Sequence, residues 1–586
     1  MSNRILITAL ALTVAAHAQV TLQWLPEHLR PDPFGGIVEP DRSAGEKPRQ
    51  RPVVLRGARD GYVSFHLLVG VQTPTPFTLN VQADGLEVDL FREWFHHMTG
   101  GKIWYPDALI PIKAPVKSNV PDVDNKVPGQ RVQAFWVDVW IPRNARTGTH
   151  DAQIVARSGN VAVTLPIRVE VLDAAVPAED VVLPDHNSYG TSWLTAQYPQ
   201  STDLFRLIHA HHRIFYEHRG VFHQLGYGHG GKVAPEFAPE IDGSGRTRRI
   251  VNWDLYDRHY GPLFDGSAFA NTRRGSRPIP FAYLPINPEW PAQFLWWSEK
   301  GYETEFVNVV SEMERHFREK NWTRTKLELF FNHKKRYKAF PWDGDETRFD
   351  EDYPYFNEYA RLMKRAMPAD SPVKWVFRTD ASWTMAEQFR KLEGVIDFWV
   401  VSGGMLSLYD WAPELLRKRN DILWTYGGTP KADAPSPSMA SELLKAWLWG
   451  ATGYVHWLTV SPGQDPWFAF TGGETALVYP GTRFGIEEPI PSIRLKLQRN
   501  IVQDLNLLDA AKNRVDKAEV TRRFNGTNPN DWWTKNSPLL NSKPQEWNNA
   551  DIGDALAGFA KLTKPSDAAS WDRVRQYVLS VAGGAQ

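Results

Sequence analysis

The chain has 586 residues, 25 of them Trp and none Cys, and its 67 Lys and Arg balance its 67 Asp and Glu, for a formal net charge of zero. The missing Cys excludes disulfide frameworks, thiolate metal sites and a cysteine nucleophile, and the neutral balance argues against a nucleic-acid partner, which calls for a basic excess. A composition 42% hydrophobic and 23% charged is that of a globular protein. The length exceeds one core of roughly 250–300 residues, so two or more domains are expected, and the Trp surplus points to unusual cores or to sites for flat-faced ligands such as sugars.

Residues 1–18 read as a secretory signal peptide: Arg4, an uncharged apolar run over 5–16, and the small-x-small pattern Ala16-His17-Ala18 with cleavage after Ala18. This predicts a secreted or periplasmic protein. No later stretch approaches the ~20 apolar residues of a membrane span. Residues 19–52, rich in Pro and charge, read as a linker or edge segment. From 53 to 177 the apolar period is close to two, as in 62–69, 77–81 and 133–141, with Gly, Pro and Asn turns between. That is the pattern of an antiparallel β-sandwich.

From 178 to 490 short apolar runs alternate with helix-length amphipathic segments. Strands are expected at 181–183, 220–225, 279–284, 326–331, 373–378, 396–401, 421–426 and 453–457, with helices at 202–218, 302–320, 355–367, 385–392 and 438–449. Eight such units fit a (β/α)8 barrel. Residues 491–586 form a helical C-terminal region, with helices at 493–517 and 571–581 and a polar stretch at 525–549.

Reactive groups of such barrels gather where the strands end. Strand one leads into Asp185-His186-Asn187-Ser188-Tyr189, and strand two carries His223 and leads to Tyr227 and His229. Strand four ends in Asn332-His333-Lys334-Lys335 and strand five in Arg378-Thr379-Asp380, while strands seven and eight offer Trp424, Tyr426, His456 and Trp457. Aromatics, amides, His and carboxylates suit a neutral polyhydroxylated ligand. The candidate substrate-binding residues are therefore His186, Asn187, Tyr189, His223, Tyr227, Asn332, His333, Trp342, Asp380, Trp424, Tyr426, His456 and Trp457. For each aromatic, core packing is an equal reading. No His pair has the spacing of a zinc motif, and neither metal nor cofactor is expected.

The strongest carboxylate signal follows strand four, in Trp342-Asp343-Gly344-Asp345-Glu346-Thr347. Cleaving a glycosidic bond requires a general acid at the leaving oxygen and a second group to stabilise the developing cation. Asp345 and Glu346 are the candidates. A solvated acidic loop, or a calcium site built from Asp343, Asp345, Asp350 and Asp352, is the rival reading, although EF-hand spacing is absent.

Three stretches carry a family resemblance. One is 135–142, Phe-Trp-Val-Asp-Val-Trp-Ile-Pro, followed by Thr-Gly-Thr-His at 147–150. The second is Asp345-Glu346 after the strand-four segment 329–334. The third is Leu-Val-Tyr-Pro-Gly at 477–481 with Pro-Ile-Pro-Ser-Ile-Arg at 489–494. Together they resemble glycoside hydrolase family 123 and the related DUF4091 proteins, a sandwich followed by a barrel, over roughly 133–508. The resemblance implies retaining hydrolysis of a β-linked N-acetylhexosamine, N-acetylgalactosamine favoured. In that chemistry the sugar's own 2-acetamido oxygen is the nucleophile, Asp345 orients the acetamide and Glu346 is the acid/base. The expected partner is a glycan.

The chain departs from the family in three places. Thr347 stands where the family has Pro. The pair lies well beyond the strand-four end, so a loop must fold back over the barrel mouth. The family's acidic helix start is replaced by Asn-Ile-Val-Gln-Asp-Leu-Asn at 500–506. Two alternatives stay open: a glycosidase of other specificity pairing Glu346 with Asp380, or a non-catalytic carbohydrate-binding protein with a degenerate site.

Overall fold

A computed structural model describes residues 20–71, 74–83, 85–98, 103–229, 233–287, 290–292, 299–335, 340–347, 350–381, 388–409, 411–463, 465–470, 475–524 and 567–583. The signal-peptide assignment, the polar stretch at 525–549 and the start of the helix expected at 385–392 lie outside these residues.

Ten strands build the sandwich: β1 (Val20–Pro26), β2 (Val53–Arg59), β3 (Gly61–Val71), β4 (Thr75–Ala83), β5 (Glu87–His97), β6 (Trp104–Ile112), β7 (Val116–Val120), β8 (Val132–Ile141), β9 (Gly148–Ser158) and β10 (Val161–Ala175). One sheet runs β1-β3-β8-β5-β6 and the other β2-β10-β9-β4-β7. The sandwich therefore begins at residue 20, inside the segment expected to be a linker, because Val20, Leu22 and Trp24 alternate into its core. Strand β8 shows why its sequence is so apolar. Phe135, Val137, Val139 and Ile141 fill the space between the sheets, while Trp136 and Asp138 face the barrel, so all ten of its residues are buried.

The barrel strands are β11 (Leu183–Tyr189), β12 (Val221–Leu225), β13 (Phe281–Tyr283), β14 (Lys326–Leu329), β15 (Lys374–Ala381), β16 (Phe398–Ser402), β17 (Ile422–Gly427) and β18 (Gly453–His456). All pair in parallel in the order β12-β11-β18-β17-β16-β15-β14-β13. Among the described residues no strand pairing joins β12 to β13. There the rings of His223 and Tyr283 stack at 4.0 Å and bridge the gap. Outside lie helices that include α1 (Leu204–Glu217), α2 (Tyr302–Glu319), α3 (Tyr353–Ala366) and α4 (Ser438–Trp449), each burying an apolar face on the strands.

Seven of the eight expected strands form where expected, and the first, expected at 181–183, shares only Leu183 with β11. The largest difference is at β11, which runs on through Asp185, His186 and Asn187 instead of ending before them. Polar residues continue this strand because Asp185 has a charged partner inside the barrel and His186 has hydrogen-bond partners outside it.

Helix α5 (Ile493–Ala510) bolts the two domains together. Arg499 and Lys496 pair with the buried Asp138 of β8 at 2.8 Å each. Arg494 pairs with Asp107 of β6 at 2.7 Å, and the Tyr479 hydroxyl donates to the same carboxylate. Helix α6 (Ser570–Ala582) closes the C-terminal region over α5 through the Trp571 indole, which donates to Asp504. Among the described residues no helix is long and apolar enough to cross a membrane.

Candidate active site

Successive side chains of a strand point to opposite faces, and this alternation sorts the candidates. Inside the barrel β11 presents Asp185, and β14 presents Glu328, with Phe330 just past its end on the same face. Strand β15 presents Val376, Arg378 and Asp380, and β17 presents Trp424. The residues between them face the helices.

The lower barrel is apolar. Trp424 packs there edge-on against Phe281 (5.0 Å) and Phe398 (4.8 Å) with Val376, Val400 and Val455. Its ring lies on Gly453, where a Cβ would come within 2.4 Å. Above this plug lies a buried ionic layer. His223 Nδ1 is 2.6 Å from Asp185 and its Nε2 is 3.0 Å from Glu328. Arg378 reaches Glu328 at 3.3 Å and donates to the Tyr283 hydroxyl at 2.6 Å, while its Nε donates to Asp380 at 3.3 Å. Burial alone would lower the His223 pKa, but Glu328 and Asp185 outweigh it and push it up to about 9, so the ring is an imidazolium at neutral pH.

The mouth is built by a return of the chain. After strand four the loop closes back on His333, whose carbonyl accepts from Gly344 N (3.1 Å) and Asp345 N (3.4 Å). Gly344 permits this approach: a Cβ there would meet Phe331 Cβ at 2.5 Å. The returning strand then bridges β15. Asp380 N donates to Asp345 O at 3.1 Å, Thr347 N donates to Asp380 O at 3.3 Å, and Glu346 and Asp380 are parallel bridge partners. The loop therefore does fold back over the mouth, with Asp345 and Glu346 beside Asp380. Thr347 N supplies one of the bridging N–H groups, which a proline at that position would lack.

Lys334 Nζ lies 2.8 Å from Asp345 Oδ2 and 2.9 Å from Glu346 Oε2. His229 Nδ1 donates to Asn332 O at 2.8 Å and lies 3.9 Å from Asp345 Oδ2. Burial raises the Asp345 pKa and Lys334 pulls against it. Burial first, then Asp345 and Glu346, push Asp380 up to about 7 against the opposing pull of Arg378. Burial first, then the charges of Asp345 and Asp380, raise the Tyr189 hydroxyl pKa, and the Trp457 ring, 40% exposed, lies edge-on to Tyr189 at 5.6 Å. Asn332 hydrogen-bonds Tyr227 through backbone and side chain, and Asn187 accepts from Leu458 N.

The structure thus brings Asp345, Glu346, Asp380, Tyr189, Asn332 and Trp457 together. Asn187 and Tyr227 shape the walls, Tyr426 lies half-buried at the end of β17, and His223 sits one layer down. Five candidates lie elsewhere. His186 and His456 are outside the wall, stacked at 5.1 Å, with His186 held by Thr459 and Gln498. They neighbour inward-facing residues and so must face outward. His333 and Trp342 are fully buried behind strand four, 4.8 Å apart, with Trp342 stacked on Tyr355. Trp424 plugs the opposite half of the barrel from the mouth. Lys334, Glu328 and Asp185 join the site without having been candidates, and Arg378 forms the ion pair with Asp380 that was the plainer reading of that carboxylate. The signal for Lys334 was its two-residue spacing from Asn332 on the inward face. Among the described residues no group of three or more His, Asp or Glu is placed to hold a metal ion.

Fold and site together define a sandwich-plus-barrel protein with three carboxylates and a lysine at the barrel mouth. No family model and no curated protein matches the chain. Among solved structures, a family 123 glycoside hydrolase from Clostridium perfringens, described in connection with glycolipid glycan hydrolysis, matches 96% of this chain and 98% of its own. Its TM-score is 0.62 and its identity 11%, a likeness of fold. Bacteroides uniformis β-glucuronidase 2 (TM-score 0.26, 11% identity, 72% of this chain and 47% of its own) and a putative α-galactosidase from Bacteroides fragilis (0.26, 10%, 78% and 78%) share too little geometry to carry an argument.

Proposed function

We propose that the chain is an exported glycoside hydrolase of the family 123 and DUF4091 kind, cleaving a β-linked N-acetylhexosamine, N-acetylgalactosamine favoured, with retention by substrate assistance. The observation that carries this is the return of Asp345-Glu346 onto β15, which sets two adjacent carboxyl groups at the mouth of a barrel with a family 123 fold. The 2-acetamido oxygen attacks C1 as the C1–O bond to the leaving group breaks, and Glu346 gives its proton to the departing oxygen. Asp345 holds the acetamide N–H and balances the positive charge that develops on the bicyclic intermediate. Water then attacks C1 as the C1–O bond to the acetamido oxygen breaks, which restores the 2-acetamide, and the water's proton goes to Glu346. Tyr189 and Trp457 supply apolar faces for the sugar ring.

The test compares wild type with Glu346→Gln on an aryl β-N-acetylgalactosaminide and on an unactivated glycan. Loss of the acid should slow the unactivated substrate by about 10²–10⁴-fold and the aryl substrate much less. Unchanged turnover of the glycan would remove Glu346 as the acid. Glycan binding without turnover by wild type would leave a binding protein. A second reading pairs Glu346 with Asp380, favoured by their direct bridge pairing. It requires sugars lacking the acetamide to be cleaved equally well.

A further inference from the structure

We infer that Lys334 is a positioning residue of the reaction centre, its ammonium clamping Asp345 and Glu346 in one fixed relation and setting the pH range in which the pair works. The inference rests on the function proposed above for those two carboxyl groups.

The geometry is built into the backbone. Residue 334 continues the inward row of strand four, Glu328, Phe330 and Asn332, and the hydrogen bonds of Gly344 and Asp345 to His333 O fold the loop so that 345 and 346 land beside it. One ammonium then meets one oxygen of each carboxyl group, 2.8 and 2.9 Å away, with the lysine side chain 13% exposed. Adjacent side chains on an extended segment diverge, so a cation between them is what draws their oxygens to a common point. The neighbouring Lys335 serves another carboxylate, Asp352, at 2.9 Å, and its backbone N–H donates to Asp343 Oδ1 at 2.6 Å. The two lysines therefore divide the work, one for the loop's fold and one for the reactive pair.

Around this cluster stand Asp380 and Arg378 from β15, His229 from the segment after β12 and Tyr189 from β11. Arg378 is committed below, to Glu328, Tyr283 and Asp380. That leaves Lys334 as the cation touching both proposed reactive carboxyl groups among the described residues. An ammonium this close favours the ionised form of each. Removing it must shift both limbs of a bell-shaped profile toward higher pH.

The experiment uses the full-length protein as Lys334→Met, which keeps the stem and removes the charge, and as Lys334→Arg, with circular dichroism and thermal melting to check the fold. Carbodiimide coupling of an amine to Asp345 and Glu346, read by peptide mass spectrometry against pH, reports their protonation whether or not substrate is turned over. Half-labelling should move up by about one pH unit in Lys334→Met and return toward wild type in Lys334→Arg. On an aryl β-N-acetylgalactosaminide the kcat/KM profile should move the same way, with kcat falling at least tenfold and KM by less than threefold. A folded Lys334→Met with wild-type labelling and pH profile overturns the inference. Wild type that hydrolyses nothing, with the labelling shift present, overturns the function and leaves the lysine's role standing.

Discussion

Replacing Asp380 by Asn should flatten the pH dependence of stability, by an amount the structure sets. The Asp380 side chain is 12% exposed, and burial together with Asp345 and Glu346 pushes its carboxyl group up to about 7, against 3.8 for the ordinary side chain. Between those values the folded protein holds a proton that the unfolded chain has released. Stability from this group is therefore fully present below about pH 3.8, falls as pH rises, and is lost above about 7. At 1.36 kcal/mol for each unit, the separation of about three units amounts to roughly 4 kcal/mol, of which about 3 kcal/mol falls between pH 5 and pH 8. Asn does not ionise, so the unfolding free energy of Asp380→Asn minus that of wild type should rise by about 3 kcal/mol across that interval. Asp421 and Asp504, each raised to about 6 by burial, titrate in the same window, but they are common to both proteins and cancel. Reversible urea unfolding followed by Trp fluorescence at the two pH values gives the comparison. A difference that stays constant to within about 1 kcal/mol would refute the claim that Asp380 carries a proton into the neutral range.

Three further outcomes follow from the barrel interior and its mouth. Arg378→Met should cost about 3–5 kcal/mol in urea unfolding, because it strands Glu328 and Asp380 in a buried layer, and adding Glu328→Gln should recover part of that loss. Trp424→Ala should cost about 3–5 kcal/mol with KM unchanged in the folded enzyme. Trp457→Ala, at an exposed mouth position, should cost under about 1 kcal/mol and raise KM severalfold, and a KM effect from Trp424 would contradict its place in the lower barrel.

Much of the architecture was legible because it rests on local rules. The eight apolar runs of the barrel and the period-two pattern of the sandwich needed no long-range information. The strand that was cut short, β11, fails that rule for a physical reason: Asp185, His186 and Asn187 look like loop residues until His223 and Gln498 supply partners from distant parts of the chain. The site divides the same way. Asp345 and Glu346 were readable as chemistry, but their placement depends on Gly344 letting the backbone approach Phe331, a contact that sequence does not encode locally. Trp424 misled because a strand's sequence says which residues face in but not how far along the barrel axis each lies once the strands tilt. His186 and His456 misled because both were counted at strand ends without assigning a face.

The buried layer explains why Asp380 is pushed up to about 7. Asp185 and Glu328 are matched by two cations, His223 and Arg378, each within ion-pair distance. The four charges cancel, so the layer is tolerable inside the barrel. Asp380 is the carboxylate beyond that balance, sharing a cation already committed to Glu328, and it faces Asp345 and Glu346 rather than a fresh positive charge. At the mouth Lys334 offsets one of the remaining negative charges and a proton on Asp380 offsets another. In the proposed reaction Glu346 holds the proton it gives to the leaving oxygen, and Asp345, 2.8 Å from Lys334, is the ionised carboxyl group that meets the charge developing on a sugar ring. A ligand that carried its own negative charge would upset this arithmetic, whereas a neutral sugar preserves it, in keeping with a chain whose overall charge is zero.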